Sequence, residues 1–552
     1  MSASPRALRA LVLLAGFYLV ALAVLGVLVG ADVAAWIWAP APVAIKVTVI
    51  TALLGYPVLR GAFALGEGSG DEREALPVTE AEQPELWGTV RALAERSGTR
   101  APDEILLVGE VNAAVSEDAR LLGLLPGRRR LYIGVPLLAG LSEPQLHSVI
   151  AHELGHYGNA DTRLAGITRR GRDCVLRTVG AFQERERKRI GKERSRQEKA
   201  DAKRLRKGKK ARGVDTGRTG LRYRVMAKPF QAYARFYLRV TSGVGRQQEL
   251  AADRMAVRVA GRDATASALR EIAALDAAHD FYQSRYAMLG VEAGLLPPRG
   301  EVFGGLRRLL ADPERRSALA ELRGELPADE ESPYDSHPPV AERVRLIEAL
   351  PDDGRGADPA RPALALLRDT ERVLARLEDV LLTPEALAME RAEWPELAHR
   401  AMYTRATVGA GPLRTALATA GVASGSASGD LTALLDSADT GRLWLVAGYL
   451  PKSSDAARAT GRAAREFLRP ALEAGTYRLA ELALVEKAGA YWELSWSERV
   501  RLRLPGAAYS GGTQGAPDME KAPDMEEALA AAVRAATADA PDTAPLRTLL
   551  SH

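Results

Sequence analysis

The chain has 552 residues, 47% of them hydrophobic, which is enough for a membrane anchor and two or three further domains. Its single cysteine, Cys174, excludes an intrachain disulfide and is typical of a reducing compartment. The net charge of +5 comes from one segment, residues 183–213, which carries 15 Lys or Arg against 5 Asp or Glu. This segment has no aromatic residue on which bases could stack, so we predict no nucleic-acid partner.

Two apolar segments near the N-terminus predict membrane-spanning helices. Residues 11–29 contain no charge and are long enough to cross the hydrocarbon core of a bilayer. Residues 43–65 form a second span, with Lys46 and Arg60 near its ends, where long basic side chains can reach the interface. The connecting stretch, residues 30–42, contains no Lys or Arg. The positive-inside rule therefore predicts a multi-pass protein of the inner (plasma) membrane, with the remainder of the chain in the cytoplasm.

A secretory signal peptide is the alternative reading of the first segment. Cleavage would then fall near Ala35, after a run of small residues. The apolar core would be unusually long for a signal peptide, and a second apolar segment follows at once. We therefore favour a two-helix anchor over residues 1–66, with the lipid bilayer as a partner.

After a Gly-rich linker, residues 66–74, the pattern changes to that of a folded domain. Residues 105–115 and 130–135 are predicted as short strands. The abundance of Ala, Leu, Arg and Glu elsewhere predicts helices. We expect a predominantly α structure with a small β-sheet, which is an α+β arrangement.

Residues 152–156 read HELGH, an instance of the H-E-x-x-H motif. The preceding residues, 141–150, predict a helix with a capping serine and an apolar side. Residues four apart on a helix share a face, so His152 and His156 point two imidazoles into one site and supply half of a tetrahedral zinc shell. Glu153 lies about 100° round the helix, where it can take a proton from a zinc-activated water. A chance match is the alternative, disfavoured by the presence of only seven histidines.

The basic run at residues 183–213 has two interpretations. It is a solvated, partly disordered insertion, or an arm that binds anionic lipid headgroups at the membrane surface. The aromatic residues of the following segment, 230–240, share one side of a predicted helix. They indicate either contact with a membrane interface or core packing.

Residues 249–253 read ELAAD and place two carboxylates four apart on a second predicted helix. Glu249 is the candidate third zinc ligand. Asp253, one turn later, can accept a hydrogen bond from the outer nitrogen of a liganding histidine. The alternative is a solvated acidic face, which the apolar neighbours in this segment disfavour.

Residues 352–552 differ in character from the rest of the chain. They contain helical patterns separated by Gly-rich and polar stretches, and no cluster of residues that carries chemistry. We predict a helical accessory domain of unknown role.

Together, these blocks resemble the HtpX-type and CAAX-prenyl-protease-type membrane zinc metallopeptidases. The similarity extends over roughly residues 1–350 and says little about the remainder. It follows the order of the family motifs: two apolar segments, Asn112-Ala113, residues 142–162, residues 246–256 and residues 336–350. The sequence departs from the HtpX pattern between residues 142–162 and residues 246–256, where HtpX-type proteins carry further membrane-spanning helices and this chain has no further apolar span. We therefore expect general proteolysis rather than prenyl-peptide processing.

The resemblance implies a role for each site residue. It implies that His152, His156 and Glu249 bind one Zn²⁺ ion, with Glu153 as general base and Asp253 supporting a ligand.

The resemblance also implies roles for three further residues, and each role has an alternative interpretation. His337, in a Ser-His-Pro-Pro stretch, is implied as the donor that stabilises the oxyanion of the reaction, or else it caps a turn. Asn112 and Ala113 are implied to lie at the edge strand that binds substrate, or else they form a turn.

The sequence thus predicts a zincin-like peptidase domain at residues 67–351, with the basic insertion at 183–213, after the anchor and before the accessory domain. Its predicted function is hydrolysis of peptide bonds in protein or peptide substrates by a zinc endopeptidase. A catalytically silent membrane scaffold that works through the helical C-terminal domain is the alternative, disfavoured by the intact Glu153 and Asp253. The oligomeric state is left open.

Overall fold

The computed structural model describes residues 5–63, 74–117, 127–158, 162–205, 219, 221–324, 326, 338–355, 361–452, 459–505 and 525–551. The chain forms two compact units. The first unit consists of Met1–Ala273 and Leu322–Arg368, and the second of Ala274–Glu321 and Asp369–His552. The domain boundaries predicted at residues 66 and 351 stay a prediction.

The first part of the chain contains eight of the described helices and the larger sheet. The helices are α1 (Pro5–Trp38), α2 (Ala41–Phe63), α3 (Pro84–Arg96), α4 (Val135–Gly140), α5 (Glu143–Gly158), α6 (Thr162–Leu205), α7 (Leu221–Ala260) and α8 (Arg262–Tyr282). The strands are β1 (Leu76–Val78), β2 (Glu104–Val108), β3 (Ala113–Glu117) and β4 (Arg129–Gly134).

The rest of the described chain is helical with two short strand pairs. The helices are α9 (Glu301–Gly304), α10 (Leu306–Ala311), α11 (Pro313–Gly324), α12 (Val340–Glu348), α13 (Thr370–Leu381), α14 (Pro384–Leu387), α15 (Trp394–Thr419), α16 (Ala427–Asp439), α17 (Leu443–Ala447), α18 (Gly461–Ala488), α19 (Met525–Ala536) and α20 (Ala544–Leu549). The strands are β5 (Leu295–Leu296), β6 (Glu390–Arg391), β7 (Tyr491–Glu493) and β8 (Arg501–Arg503). The predicted fold class, predominantly α with small β-sheets, is confirmed.

The larger sheet has the strand order β1-β2-β4-β3, with β2 parallel and β3 antiparallel to β4. The turn that leads into β3 closes tightly over the end of β4, where the Gly134 N–H donates to the Asn112 carbonyl at 2.7 Å. A Cβ at Gly134 would lie 2.0 Å from the Glu110 carbonyl oxygen, so only glycine fits this crossing. The turn therefore delivers Asn112 and Ala113 to the edge of the sheet.

Helices α1, α2, α6 and α7 pack together in the first unit. Phe230 of α7 is fully buried, stacks on Phe182 of α6 at 5.7 Å between ring centroids, and meets Phe17 of α1 edge-on at 6.2 Å. Tyr237 is also fully buried, whereas Phe236 is 54% exposed. Of the two interpretations of residues 230–240, the packing of Phe230 and Tyr237 supports a core role.

Two helices in the described part of the chain are long and apolar enough to cross a membrane, Val12–Trp38 and Ala41–Gly61. Their outer faces expose large apolar side chains, among them Leu19, Val27 and Val49. The exposed side of α2 also meets a polar partner at Leu53 and Tyr56. Arg185 of α6 donates to the Leu53 carbonyl and its guanidinium lies 4.5 Å from the centroid of the Tyr56 ring.

The basic run is helical where the structure describes it. Residues 183–205 continue α6, and the side chains described in this range are largely exposed, while residues 206–213 lie outside the described residues. Pairs four apart, such as Glu184 with Lys188 and Arg194 with Glu198, connect its charges along the helix.

The second unit has its own core, built mainly by α15, α16 and α18 around Leu413, Leu431 and Leu479. The Gly- and Ser-rich loop that precedes α16 is held by one carboxylate. Asp430 is buried and accepts the N–H groups of Ser424 and Gly425.

Candidate metal centre

Helix α5 begins with a side-chain cap. The Gln145 side-chain oxygen accepts both the N–H and the hydroxyl of Ser142, at 2.9 and 3.0 Å. The bond to the Ser142 N–H satisfies a donor that the start of a helix leaves open. Ile150 and Leu154 are fully buried on one side of the helix, which fixes its rotation. The two histidines of the motif are therefore held by the start and the apolar side of α5.

Helix α7 packs directly against α5, and Gly155 makes the close approach possible. A Cβ at Gly155 would lie 3.2 Å from Cβ of Met255 and 3.3 Å from Cα of Ala252. The small residue within HELGH thus brings the helix that carries Glu249 and Asp253 next to the histidines.

His152, His156 and Glu249 meet at one point, with one ligand atom from each within 4.8 Å of the others. Nε2 of His152 lies 3.4 Å from one Glu249 carboxylate oxygen, and Nε2 of His156 lies 3.5 Å from the other. Metal–ligand bonds of about 2.0–2.1 Å in a tetrahedral zinc site place neighbouring ligand atoms about 3.3 Å apart. The observed separations fit a zinc ion held by these three residues.

Asp253 lies on the other side of the His152 ring. The Nδ1–H of His152 donates to the Asp253 carboxylate at 3.0 Å, which leaves Nε2 directed at Glu249. Burial alone would lower the pKa of His152, but the hydrogen bonds to Asp253 and Glu249 raise it to about 9. At neutral pH a ring with this pKa carries a proton on each nitrogen, and a metal that binds Nε2 must displace the proton there. Asp253 fixes the orientation of the ring and holds the remaining proton on Nδ1.

Arg343 of α12 completes this arrangement and was not among the residues predicted from the sequence. Its guanidinium donates to both oxygens of Asp253, through Nε at 2.9 Å and Nη2 at 2.6 Å. Burial opposes the charge of Asp253, yet the hydrogen bonds from Arg343 and His152 hold the pKa of Asp253 below its usual value. The only sequence signal was an arginine on the apolar side of an amphipathic helix, beside Val344 and Ile347.

Glu153 follows His152 on α5 and is half-buried. Its negative charge acts on both His152 and Arg343, since it contributes to the raised pKa of each. Glu153 therefore lies near the His-His-Glu cluster, in a region of concentrated positive and negative charge.

Ala113 begins β3, and Asn112 immediately precedes it. β3 is the outermost strand of the sheet and a neighbour of α5. The hydroxyl of Tyr157, next to His156 on α5, donates to the Val115 carbonyl of β3 at 2.7 Å. The strand and the motif helix are therefore directly connected. His337 lies outside the described residues.

The comparisons with known proteins identify one family. The family model described as peptidase family M48 matches residues 80–350, which contain the HELGH and ELAAD segments and Arg343. No curated protein and no solved structure matches the chain at a significant level.

Proposed function

The chain belongs, through residues 80–350, to peptidase family M48, and from this premise we propose that it is a membrane-anchored zinc endopeptidase. The family implies a zinc-dependent metallopeptidase with a protein or peptide substrate. The observation that carries the proposal is the convergence of His152, His156 and Glu249 at separations suited to one zinc ion.

Each residue of the cluster has a distinct role in this proposal. A zinc ion, when bound, lowers the pKa of a coordinated water to about 7 and polarises a carbonyl group. His152 and His156 would hold the ion through Nε2, and Glu249 through its carboxylate. Asp253 keeps the proton of His152 on Nδ1, so that Nε2 offers its lone pair.

Glu153 is the proposed general base. Glu153 follows the candidate ligand His152 on the same helix, its charge acts on His152 and Arg343, and its carboxylate would take the proton of the attacking water. The same carboxyl group would then give the proton to the leaving amine as the peptide bond breaks. His337, the proposed oxyanion donor, stays a proposal from the sequence.

Substrate binding is proposed along β3. An extended peptide can add to the outer edge of a sheet, since the main-chain groups of an edge strand face outward. Asn112 and Ala113 begin this edge, and α5 flanks it. A peptide paired there would lie between β3 and the helix that carries Glu153.

The test is proteolysis of casein by the zinc-loaded, detergent-solubilised protein beside its Glu153→Gln variant. We expect cleavage by the parent and loss of cleavage in the variant, with equal zinc content in both by elemental analysis. A zinc chelator should abolish the activity of the parent, and added zinc should restore it.

Glu95→Gln is the matched control, because Glu95 is an exposed glutamate on α3 and its loss removes the same charge. Casein cleavage that survives Glu153→Gln would contradict the assigned base. A zinc-loaded parent that cleaves neither casein nor itself would favour the scaffold alternative.

We also propose that α1 and α2 anchor the protein as a multi-pass inner-membrane protein, with the N-terminus and the peptidase in the cytoplasm. Support comes from the apolar outer faces of both helices and from the absence of Lys and Arg in residues 30–42. The contact of Arg185 with α2 stands against full lipid exposure of that helix, because a charge within the hydrocarbon region is costly. Residues 352–552 are proposed as an accessory domain.

Alkaline extraction of cell membranes tests the anchor. A bilayer-spanning pair of helices keeps the protein in the membrane pellet, whereas release into the supernatant would contradict it. A phosphatase fused at Pro40, which is active only outside the cytoplasm, tests the orientation, and we expect activity there and none for a fusion after residue 552.

A further inference from the structure

The edge of β3 offers main-chain groups at alternate residues. In an antiparallel pair, residues alternate between bonding the neighbouring strand and facing away from it. Ala113 is paired with Ile133, so extending this register by one residue places Asn112 opposite Gly134. The Gly134 N–H donates to the Asn112 carbonyl, so Asn112 is one of the residues that bond β4. The main-chain groups of Ala113 and Val115 therefore face away from β4. In the part of the chain that the structure describes, no strand pairs with this edge.

The side chain of Tyr157 bonds to one of these outward-facing carbonyl groups. Its hydroxyl donates to the Val115 carbonyl at 2.7 Å, a normal length for an O–H···O bond. The carbonyl that an added strand would use at Val115 is thus already bonded within the protein. The groups of Ala113, two residues earlier, face the same edge.

The Tyr157 ring is held in place by Arg129. The guanidinium of Arg129 lies 4.8 Å from the centroid of the ring and is itself buried. Arg129 is fixed in turn by the Thr99 hydroxyl at 3.0 Å and the Glu117 carboxylate at 3.2 Å. Displacing Tyr157 would therefore remove a cation–π contact with a buried, fixed guanidinium, and a bound peptide cannot push the ring aside without that cost.

Tyr157 also has a defined position relative to Glu153. The two residues are four apart on α5 and share one face of the helix. Four residues of an α-helix advance about 6 Å along its axis, which is the length of about two residues of an extended peptide. Along the helix axis, Tyr157 therefore stands the length of about two residues of an extended peptide from the proposed base.

We propose that Tyr157 caps the substrate-binding edge of β3 and limits main-chain pairing of the substrate to the Ala113 end. This specificity role rests on the proposed function. A substrate would pair with Ala113 and lose its strand register at Val115, so residues beyond that point would contribute little main-chain binding energy. The enzyme would then accept segments that are extended only over a short stretch on that side of the cleaved bond.

The test is an N-methylation scan of one peptide. A casein-derived peptide that the parent cleaves is made with a single N-methyl group at each amide in turn, which removes one hydrogen-bond donor. Binding is measured by fluorescence anisotropy to zinc-loaded Glu153→Gln protein, with and without Tyr157→Phe. The phenylalanine keeps the ring over Arg129 and removes only the hydroxyl.

We expect the Glu153→Gln protein to tolerate N-methylation at the amide about two residues from the cleaved bond. In the Tyr157→Phe background the Val115 carbonyl becomes available, and the same N-methyl group should weaken binding about three- to tenfold, the usual effect of one hydrogen bond. Tyr286→Phe, which removes a hydroxyl that donates to the Ser495 carbonyl of the second unit, is the control and should leave the scan unchanged.

Identical scans with and without the Tyr157 hydroxyl would overturn the cap, as would a penalty at that amide already present before the substitution. Zinc content and Tm of the Tyr157→Phe protein verify that the site is intact. Failure of the proposed function would be seen separately, as absence of casein cleavage by the parent protein, whereas failure of the cap changes only the scan.

Discussion

Arg343 and Asp253 form a buried pair joined by two hydrogen bonds, and Asp253 in turn accepts the Nδ1–H of His152. Nη2 of Arg343 also lies 3.5 Å from that same nitrogen. A paired guanidinium and carboxylate of this geometry is stronger and more directional than a single contact. The orientation of one candidate zinc ligand therefore depends on a residue from α12, which is distant in the sequence from both motifs.

Arg343→Met should weaken zinc binding and lower stability. Without the guanidinium, the buried Asp253 carboxylate loses two hydrogen bonds and keeps the one from His152. Removing one partner of a buried ion pair typically costs about 3–5 kcal/mol of stability. Loss of a group that orients a ligand typically reduces metal affinity about 10- to 100-fold. Competition with a zinc-binding dye measures the affinity, and thermal unfolding measures the stability.

Arg345→Met is the control for this prediction, because Arg345 is exposed on the same helix. The loss of stability in the double variant Asp253→Asn with Arg343→Met should be much smaller than the sum of the losses in the two single variants, since both substitutions remove the same interaction. Strict additivity would show that Arg343 acts independently of Asp253.

Zinc should stabilise the first unit measurably. A ligand that binds only the folded state, present at 100 times its Kd, adds about 2.7 kcal/mol to the free energy of unfolding. We expect Tm to rise on zinc addition and to fall with a chelator. His156→Ala removes a ligand atom and should abolish this zinc dependence, so an unchanged zinc response in that variant would place the metal elsewhere.

Gly134→Ala should be destabilising and should impair peptide binding. The added Cβ would lie 2.0 Å from the Glu110 carbonyl oxygen and 2.8 Å from that of Asn112, both of which are main-chain atoms that cannot turn aside. Overpacking of this kind typically costs about 1–3 kcal/mol. The displaced turn would also shift Asn112 and Ala113, so anisotropy measurements with the peptide should report weaker binding.

Gly88→Ala provides the opposite expectation. Gly88 lies inside α3 with no atom within 4 Å of an added Cβ, so alanine should stabilise the helix by about 0.5–1 kcal/mol. Equal shifts of Tm in the two alanine variants would contradict the close crossing at Gly134.

Phe230→Ala and Phe236→Ala test the packing of α7 on the N-terminal helices. Phe230 is fully buried between Phe17 and Phe182, and its truncation should cost about 3–5 kcal/mol. Phe236 is more than half exposed, and its truncation should change stability by less than about 0.5 kcal/mol. Thermal unfolding in detergent distinguishes them, and similar losses would count against the core role of Phe230.

The sequence was most informative where the chemistry is local. The spacing of His152 and His156, and that of Glu249 and Asp253, identifies two helix faces from a few consecutive residues, and the structure brings these faces together. The predominance of helix was likewise predictable from composition.

Contacts between distant segments could not be predicted in this way. No local pattern connects Arg343 with Asp253, or Tyr157 with Val115, because each contact depends on how separate elements pack. The aromatic side of residues 230–240 fitted a membrane interface and a core equally well, since both environments favour the same side chains. Only the neighbours of Phe230 distinguish them.

Helix α7 is continuous from Leu221 to Ala260 and carries two kinds of contact along its length. Tyr237 is buried among the helices that pack with α1, and Glu249 reaches the His-His-Glu cluster. The two residues are twelve positions apart, which corresponds to about 18 Å along the helix axis. An α-helix resists stretching, so the distance along α7 between these two residues is fixed. A displacement of the helix along its axis at Tyr237 would therefore also move Glu249, a candidate zinc ligand.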